Sequence, residues 1–320
     1  QKHIGINFTS AELTMQLDDF ADRVLKPRIS QLAASVDADV ANAFKGIGNS
    51  VGTPGTTPGT SLVLLQAQQK LNENAAGMSP RYATVNPAAN AALVEGMKGL
   101  FNPTSTISKQ FKNGMMGEGI LGLDEVNMSQ SIKQFTTGTR GTTASVATSI
   151  TSEGATSIAL TVASSGQTIK TGDVFTISGV YAVNPQTRES TGSLFQFVAL
   201  ADVTCSSGAG TITVAPIYSA AHALATVDSL PASSAAVIFL GTASTGYAQN
   251  LVYHKDAIAF ATADLLLPQG VDMASRAVHN GISLRVVRQY DINNDRMPCR
   301  VDVLYGYSVI RPQMACRVWG

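Results

Sequence analysis

Charge is scarce in this sequence, and the two signs balance. Asp, Glu, Lys and Arg make up 14% of the 320 residues, and 22 acidic residues match 22 basic ones. Proteins that bind nucleic acids or anionic membranes usually carry a basic surface. A net charge of zero therefore argues against a nucleic-acid reader and against a polybasic membrane binder.

Cysteine pairs, long apolar runs and metal-binding motifs are also lacking. The three cysteines, Cys205, Cys299 and Cys316, are odd in number and include no C-x-x-C, which predicts free buried thiols. No apolar run approaches the roughly 20 residues of a membrane-spanning helix, and no signal peptide is visible. The four histidines form neither H-x-H nor H-E-x-x-H, so no zinc site is indicated.

The short motifs of common enzymes are missing as well. The glycine-rich stretch 46–61 lacks the lysine of a phosphate-binding loop, and "GTASTG" does not have the spacing of a nucleophile elbow. His254 and Asp256 lie two positions apart and form a possible general-base pair, but a structural histidine is the simpler interpretation. We therefore expect no catalytic residue, no metal, no cofactor and no enzymatic activity.

Hydrophobic periodicity in the first 135 residues predicts helices joined to short strands. Residues 2–8 alternate as a strand does, and residues 14–44 repeat apolar side chains every three or four positions, which predicts one long helix kinked at Pro27. Three further segments complete this part: a helix at 61–74, a short strand followed by a helix that begins at Pro87 after the cap Asn86, and a short helix at 105–113.

The composition changes between residues 136 and 250, where only eight charged residues occur. Ser, Thr, Gly, Ala and Val dominate, in segments such as "SIALTVASSGQTIKTGDVFTISGV" that alternate between strand and turn residues. Both flanks resemble an α/β or α+β body. We therefore predict a separate β-domain inserted into that body.

The C-terminal part again mixes element types. "LVYHKDAIAFATADL" predicts a strand leading into a helix, "GISLRVVRQYDI" and "PCRVDVLYGYSVI" predict two strands of a hairpin, and "QMACRVWG" predicts a final strand. The polar hairpin tip places acidic and amide residues at alternate positions, as calcium-binding loops do. An EF-hand loop that starts at Asp291 needs Gly and Glu where this chain has Arg296 and Asp302. We interpret the tip as a turn and as a candidate subunit contact formed by Asp291, Asn293, Asn294, Asp295 and Arg296.

Longer segments of the sequence can be compared with those of known protein families. "NFTSAELTMQLDDFADRVLKPRISQLA", "NPAANAALVEGMKGLFNP", "GDVFTISGVYAVNPQTRESTGSLFQFV" and the run from "YHKDAIAF" to "ACRVWG" resemble, in the same order, segments of the major coat proteins of short-tailed bacteriophages. The resemblance is to the branch that carries an insertion domain, and it covers nearly the whole chain.

This resemblance implies an α+β fold, the tailed-phage major capsid protein fold. It has a peripheral domain with a long spine helix and a β-hairpin, an axial domain, and an inserted β-barrel-like domain. The expected boundaries are 1–60 with 281–308 for the peripheral domain, 61–135 with 237–280 and 309–320 for the axial domain, and 136–236 for the insertion. The family's N-terminal arm and extended loop are expected to be missing, because the chain begins at the strand that follows them.

The resemblance also implies a function. The expected protein is the major capsid protein of a phage or prophage, a structural protein that self-assembles as pentamers and hexamers into an icosahedral shell. Scaffolding and portal proteins are the expected partners, DNA is contacted only non-specifically, and no membrane is involved. The chain would reside in the virion, and in the bacterial cytoplasm during assembly. The alternative is a non-enzymatic β-rich surface or adhesion module on a helical body.

Overall fold

A computed structural model of the chain describes residues 1–9, 26–97, 114, 116–141, 144–279 and 281–320. The predicted α+β class is confirmed, with strands predominating. The described helices are α1 (Lys26–Val40), α2 (Ser61–Glu73) and α3 (Pro87–Gly96). None of the described helices is long and apolar enough to cross a membrane. All three cysteines are free and buried, as predicted.

The chain divides into two compact units, the first formed by Gln1–Ala41 and Ala259–Ser308. Its five-stranded sheet has the order β1-β19-β18-β17, with β16 paired to β19. The strands are β1 (Lys2–Thr9), β16 (Ile258–Ala263), β17 (Met273–His279), β18 (Ile282–Arg288) and β19 (Arg296–Val309). Helix α1 covers one face, where Leu32 packs against Val301 and Val303. The predicted first strand and the predicted hairpin of β18 and β19 are both present.

Of two expectations for this unit, one is tested only in part and the other is wrong. The described helix covers only 26–40 of the predicted 14–44, and a 3-10 turn at Ala41–Gly46 follows it. Residues 14–25 and the predicted helix 105–113 lie outside the described residues, so the kink predicted at Pro27 stays a prediction. The helix expected after "LVYHKD" is wrong, because 258–263 form the strand β16. Pairing with β19 overrides the helix preference of the alanines there.

The second unit comprises Asn42–Ile258 and Val309–Gly320. Its seven-stranded sheet has the order β2-β20-β15-β3-β5-β4, with β6 paired to β15. The strands are β2 (Ser50–Val51), β3 (Arg81–Val85), β4 (Gly117–Ile120), β5 (Leu123–Met128), β6 (Gln134–Thr136), β15 (Gly246–His254) and β20 (Ala315–Trp319). Helices α2 and α3 cover this sheet through Leu64, Leu71 and Leu93. The predicted cap is confirmed, since the side chain of Asn86 accepts a hydrogen bond from Ala89 N at 2.8 Å.

Within the second unit, the charge-poor segment builds a sheet of its own. Its order is β11-β10-β14-β7-β8-β13, and β9 with β12 forms a separate two-stranded ladder. The strands are β7 (Ala144–Val146), β8 (Ala155–Val162), β9 (Thr168–Ile169), β10 (Val174–Val183), β11 (Ser190–Val198), β12 (Val203–Thr204), β13 (Ala209–Ile217) and β14 (Ala236–Phe239). Phe175, Ile158 and Ile212 are among the fully buried residues of its core.

The segment leaves and rejoins the body at one place. Thr137 N donates to Thr245 O at 3.1 Å, and Ser244 N donates to Gly138 O at 3.0 Å. These bonds continue the ladder between β6 and β15. The β-rich segment is therefore a continuous insertion between two neighbouring strands of the body.

Candidate functional site: a buried polar junction and an exposed hairpin tip

A buried polar cluster lies where the insertion meets the rest of the second unit. We name Arg140, Asp173, Gln249 and Arg317 the junction cluster; each has at most 2% of its surface exposed. Arg140 and Asp173 belong to the insertion, whereas Gln249 is on β15 and Arg317 is on β20. Buried charge is costly unless it is paired and hydrogen-bonded, so this position is structurally constrained.

Arg317 makes the contact that crosses between the two parts. Its Nη1 donates to Gly172 O at 2.6 Å, and its Nε donates to Gln249 Oε1 at 2.8 Å. Three aromatic rings surround the guanidinium at 4.9–5.5 Å, those of Phe44, Phe135 and Trp319. Burial lowers the pKa of Arg317 to about 9, with the charge of Asp173 opposing the shift. The group is therefore still cationic at neutral pH.

Asp173 and Arg140 form a buried ion pair beside it. Arg140 Nη1 lies 3.3 Å from Asp173 Oδ1, and Asp173 Oδ2 accepts from the backbone N–H of Lys170 at 2.8 Å and of Gly138 at 3.1 Å. Arg140 also donates to Leu240 O. Burial raises the pKa of Asp173, and the Arg140 guanidinium opposes that shift. The pair thus fixes the turn that presents Gly172 O to Arg317.

A second connection joins the insertion to the strand β2. Ser50 N donates to Gln196 Oε1 at 2.7 Å, and Gln196 Nε2 donates to Ser50 O at 2.9 Å. The Gln196 side chain thereby makes the same two hydrogen bonds to Ser50 that the backbone of a neighbouring strand would make. A side chain at position 48 would bring its Cβ to 2.7 Å from Gln196 O, so this close approach requires Gly48. Together with Arg317, these contacts attach the insertion firmly to the body.

A further buried carboxylate lies in the first unit, on β19. Asp302 is fully buried and accepts from Arg285 Nη2 at 2.6 Å and from Arg300 Nε at 2.5 Å. Burial alone would raise the pKa of this carboxyl, but the hydrogen bonds from the two arginines outweigh it and lower the pKa. This carboxylate ties neighbouring strands together through side chains.

The exposed hairpin tip lies between β18 and β19. Asp291 and Arg296 exchange two backbone hydrogen bonds, of 2.8 and 3.3 Å, which close the turn. The Asp291 carboxylate accepts from Asn293 N at 3.0 Å and from Asn294 Nδ2 at 2.8 Å, and these bonds lower its pKa. Tyr290 donates to Asp295, which has a positive φ of 48°. The structure therefore brings the five predicted residues together in one turn stabilised by its own polar side chains.

The positions of the described residues bear on two chemical possibilities, a metal-binding site and a His–Asp general-base pair. Among the described residues, no three His, Cys, Asp or Glu side chains are arranged to hold a metal ion. His254 Nδ1 lies 3.6 Å from Asp256 Oδ2 and accepts from Asp256 N at 3.3 Å. His254 itself is buried at the end of β15. These contacts are those of a histidine that stabilises a turn.

The sequence interpretation did not identify the junction cluster. Its signal was present: Arg140 and Asp173 are two of only eight charged residues in 136–250. Charges that persist in a charge-poor segment are candidates for buried pairs. Their partner Arg317, however, is 144 positions beyond Asp173, and only the fold brings them together.

Comparison with known proteins gives consistent names. A family model described as "P22 coat protein - gene protein 5" matches residues 2–319. The chain is 23% identical, over 337 residues, to the "Major capsid protein" of Acyrthosiphon pisum secondary endosymbiont phage 1, and the match covers 99% of this chain and 79% of that protein.

Two solved structures are also similar in part. One is described as "Mycobacterium phage Che8", with 11% identity, coverage of 99% of this chain and 70% of that chain, and a TM-score of 0.46. The other is the "CUS-3 coat protein I-domain", with 26% identity over 32% of this chain and 98% of that chain, and a TM-score of 0.26.

Proposed function

Because the chain belongs to the P22 coat protein family, we propose that it is the major capsid protein of a phage or prophage and that its copies assemble into a closed icosahedral shell around the genome. The observation that carries the proposal is the family match, which spans residues 2–319. The protein's role is then structural rather than enzymatic, and its place is the virion.

The balance of charge supports this role. Copies with zero net charge pack densely without strong mutual repulsion. The same balance suits an inner wall that encloses DNA without binding it tightly, so contact with DNA is non-specific. Large, shape-matched interfaces between copies would supply the association free energy for pentamers and hexamers.

We assign the parts of the chain as follows. The expected boundaries place 1–60 with 281–308 in the peripheral domain and 61–135 with 237–280 and 309–320 in the axial domain. Because β16 and β17 belong to the sheet of the first unit and β2 to that of the second, we assign Gln1–Ala41 with Ala259–Ser308 to the peripheral domain and the rest of the body to the axial domain. Residues 136–236 form the inserted domain, attached through the junction cluster. Scaffolding and portal proteins assist assembly, which takes place in the bacterial cytoplasm.

The first experiment is to express the chain alone and with a scaffolding protein from the same phage, and to examine both by negative-stain electron microscopy. Closed shells or capsomer rings are expected. Monomers under every condition would contradict the proposal and would favour the adhesion-module alternative.

The hairpin tip has its own test. We expect Arg296→Glu to reduce the yield of shells several-fold while the melting temperature stays unchanged, because Arg296 lies at an exposed tip proposed to contact a neighbouring copy. Arg311→Glu, at another exposed arginine, is the matched control. Equal yields from the two variants and the wild type would remove the tip from the set of subunit contacts.

A further inference from the structure

The strand β17 forms an open edge of the sheet in the first unit. Within the described part of the chain, β17 pairs only with β18, through seven consecutive residue pairs without a bulge. Soluble proteins usually protect such an edge with charged side chains, a proline or a bulge, because its free N–H and C=O groups bind other strands. The sequence of β17, "MASRAVH", contains no proline or lysine, and its one charged side chain, Arg276, is paired with Asp264.

Apolar side chains are exposed around the same edge. Five of the large hydrophobic residues that the structure leaves exposed fall between positions 266 and 282: Leu266, Leu267, Met273, Val278 and Ile282. Leu266 is 87% exposed and Val278 is 62% exposed. We name these five residues with the outer side of β17 the edge patch. Such a concentration of exposed apolar surface marks an interaction site.

The charges at the edge are already neutralised within one copy. Arg276 Nη1 lies 3.3 Å from Asp264 Oδ2, and Arg288 Nη2 lies 2.8 Å from Asp272 Oδ2. Covering the edge therefore does not bury an isolated charge, and the covering partner needs no excess of either sign. A second copy of a chain with zero net charge meets that condition.

We propose that the edge patch binds the same edge of a second copy, with the two β17 strands antiparallel about a two-fold axis. A strand edge is complementary to itself in the antiparallel direction, because antiparallel pairing is two-fold symmetric. The pairing joins two five-stranded sheets into one. This inference rests on the proposed function and names one of the contacts that assembly would use.

Charge selects the register of the pairing. If Ala274 lies on the two-fold axis, Arg276 of each copy stands opposite Asp272 of the other. Opposite charges in directly facing positions stabilise a strand pair, and like charges destabilise it. If Arg276 lay on the axis instead, two guanidinium groups would face each other. Of these two registers, charge favours the one with the small, half-buried Ala274 on the axis, where Arg276 and Asp272 keep their own ion pairs and add a contact of opposite sign.

The test uses disulfide formation at the axis. Facing residues of an antiparallel pair have Cα atoms about 4.5–5.5 Å apart, which suits a disulfide. At about 3.3 Å per residue, Val278 lies about 26 Å from its counterpart in this register. Ala274→Cys and Val278→Cys proteins are assembled, oxidised and separated on a non-reducing gel. The native thiols are buried, so the wild-type protein should remain monomeric on the gel.

Most of the Ala274→Cys monomer band should shift to a dimer band, and the Val278→Cys band should not. In the Ala274→Cys background, Arg276→Glu should reduce the dimer several-fold, because two acidic side chains would then face each other across the paired strands. Normal shells without the Ala274→Cys dimer would overturn this inference and leave the proposed function intact. Equal cross-linking at positions 274 and 278 would overturn the register. A dimer without any shells would support the edge contact and contradict the proposed function, and the absence of both would overturn both.

Discussion

At the residue scale, Arg317 is a fully buried and tightly enclosed charge of the second unit. Both of its described hydrogen bonds are donated to oxygen atoms, and three aromatic rings enclose its planar guanidinium group. A guanidinium suits such a site better than an ammonium group, because it is planar, stacks on rings and is less strongly hydrated. The position therefore requires arginine rather than any cation.

Replacing Arg317 should be costly. We expect Arg317→Met to lower the free energy of unfolding by about 3 kcal/mol, because Gln249 and the Gly172 carbonyl lose their buried donor. Chemical denaturation measures the change. Arg311→Met, at an exposed position on the approach to the same strand, should alter stability by less than about 0.5 kcal/mol. Equal losses in the two variants would contradict the role of the junction cluster.

Asp302 should make the first unit sensitive to acid. Its pKa is lowered in the folded chain, below the value of about 3.9 that it has when unfolded. Its ionised form therefore contributes stability above the unfolded pKa, and this contribution is lost as the pH falls through the folded value. Asp302→Asn should lose about 3 kcal/mol at pH 7 and show a weaker acid dependence.

Denaturation curves between pH 7 and pH 3 test this expectation. Glu118→Gln, which removes an exposed carboxylate on β4, serves as the control and should follow the wild-type pH dependence. If the unfolding free energy of Asp302→Asn depends on pH as strongly as that of the wild type, the acid sensitivity belongs to other groups.

At the element scale, local signals predicted most of the described structure. Helix α2 was predicted at 61–74 and spans Ser61–Glu73, and α3 begins at Pro87 directly after its cap. The alternating segments of the insertion, the first strand, the hairpin and the last strand are also present. These elements were predictable because their start signals and hydrophobic periods lie within a few residues of each other.

The Asn86 cap allows a matched comparison. We expect Asn86→Ala to cost about 1 kcal/mol of unfolding free energy, because the first turn of α3 loses the acceptor for Ala89 N. Thr60, at the start of α2, makes no hydrogen bond from its side chain to the helix. Thr60→Ala should therefore cost less than Asn86→Ala when both are measured in denaturant. Equal costs would contradict the capping argument.

The features that escaped prediction depend on distant partners. Strand β16 contains three alanines and has no helix or strand signal strong enough to decide, so its state is set by pairing with β19 some 40 residues later. The same applies to the junction cluster, whose members come from four separate segments. The hairpin tip was predictable as a turn, since its acidic and amide residues are adjacent in sequence. The surface of a neighbouring copy that the tip is proposed to contact was not predictable.

At the scale of the whole molecule, the insertion and the body meet through Arg317, and their stabilities should be coupled. The strands that lead into the insertion are held together at Gly138 and Ser244, so residues 139–243 can be replaced by a short glycine turn. We expect this deletion to lower the melting temperature, because Phe44, Phe135 and Leu251 lose neighbours in the insertion such as Val174 and Val198.

The coupling itself is measured by combining the deletion with Arg317→Met. In the deleted chain the substitution should cost less than about 1 kcal/mol, against about 3 kcal/mol in the intact chain, because Gly172 and Asp173 are no longer present. Denaturation of the four proteins closes the cycle. Additive effects would show that Arg317 stabilises the body alone.

The two ends of the insertion have a consequence for how such a chain evolves. Because Gly138 and Ser244 are one hydrogen bond apart, a single in-frame recombination event can introduce, exchange or remove the whole intervening stretch without displacing the strands on either side. The buried contacts at Arg317 and Gln196 then determine which replacements the recipient tolerates. Descendant chains that exchange this stretch must acquire with it a carbonyl that can accept from Arg317, as Gly172 does, and an amide that can bind Ser50, as Gln196 does. These few positions should therefore be inherited as a set.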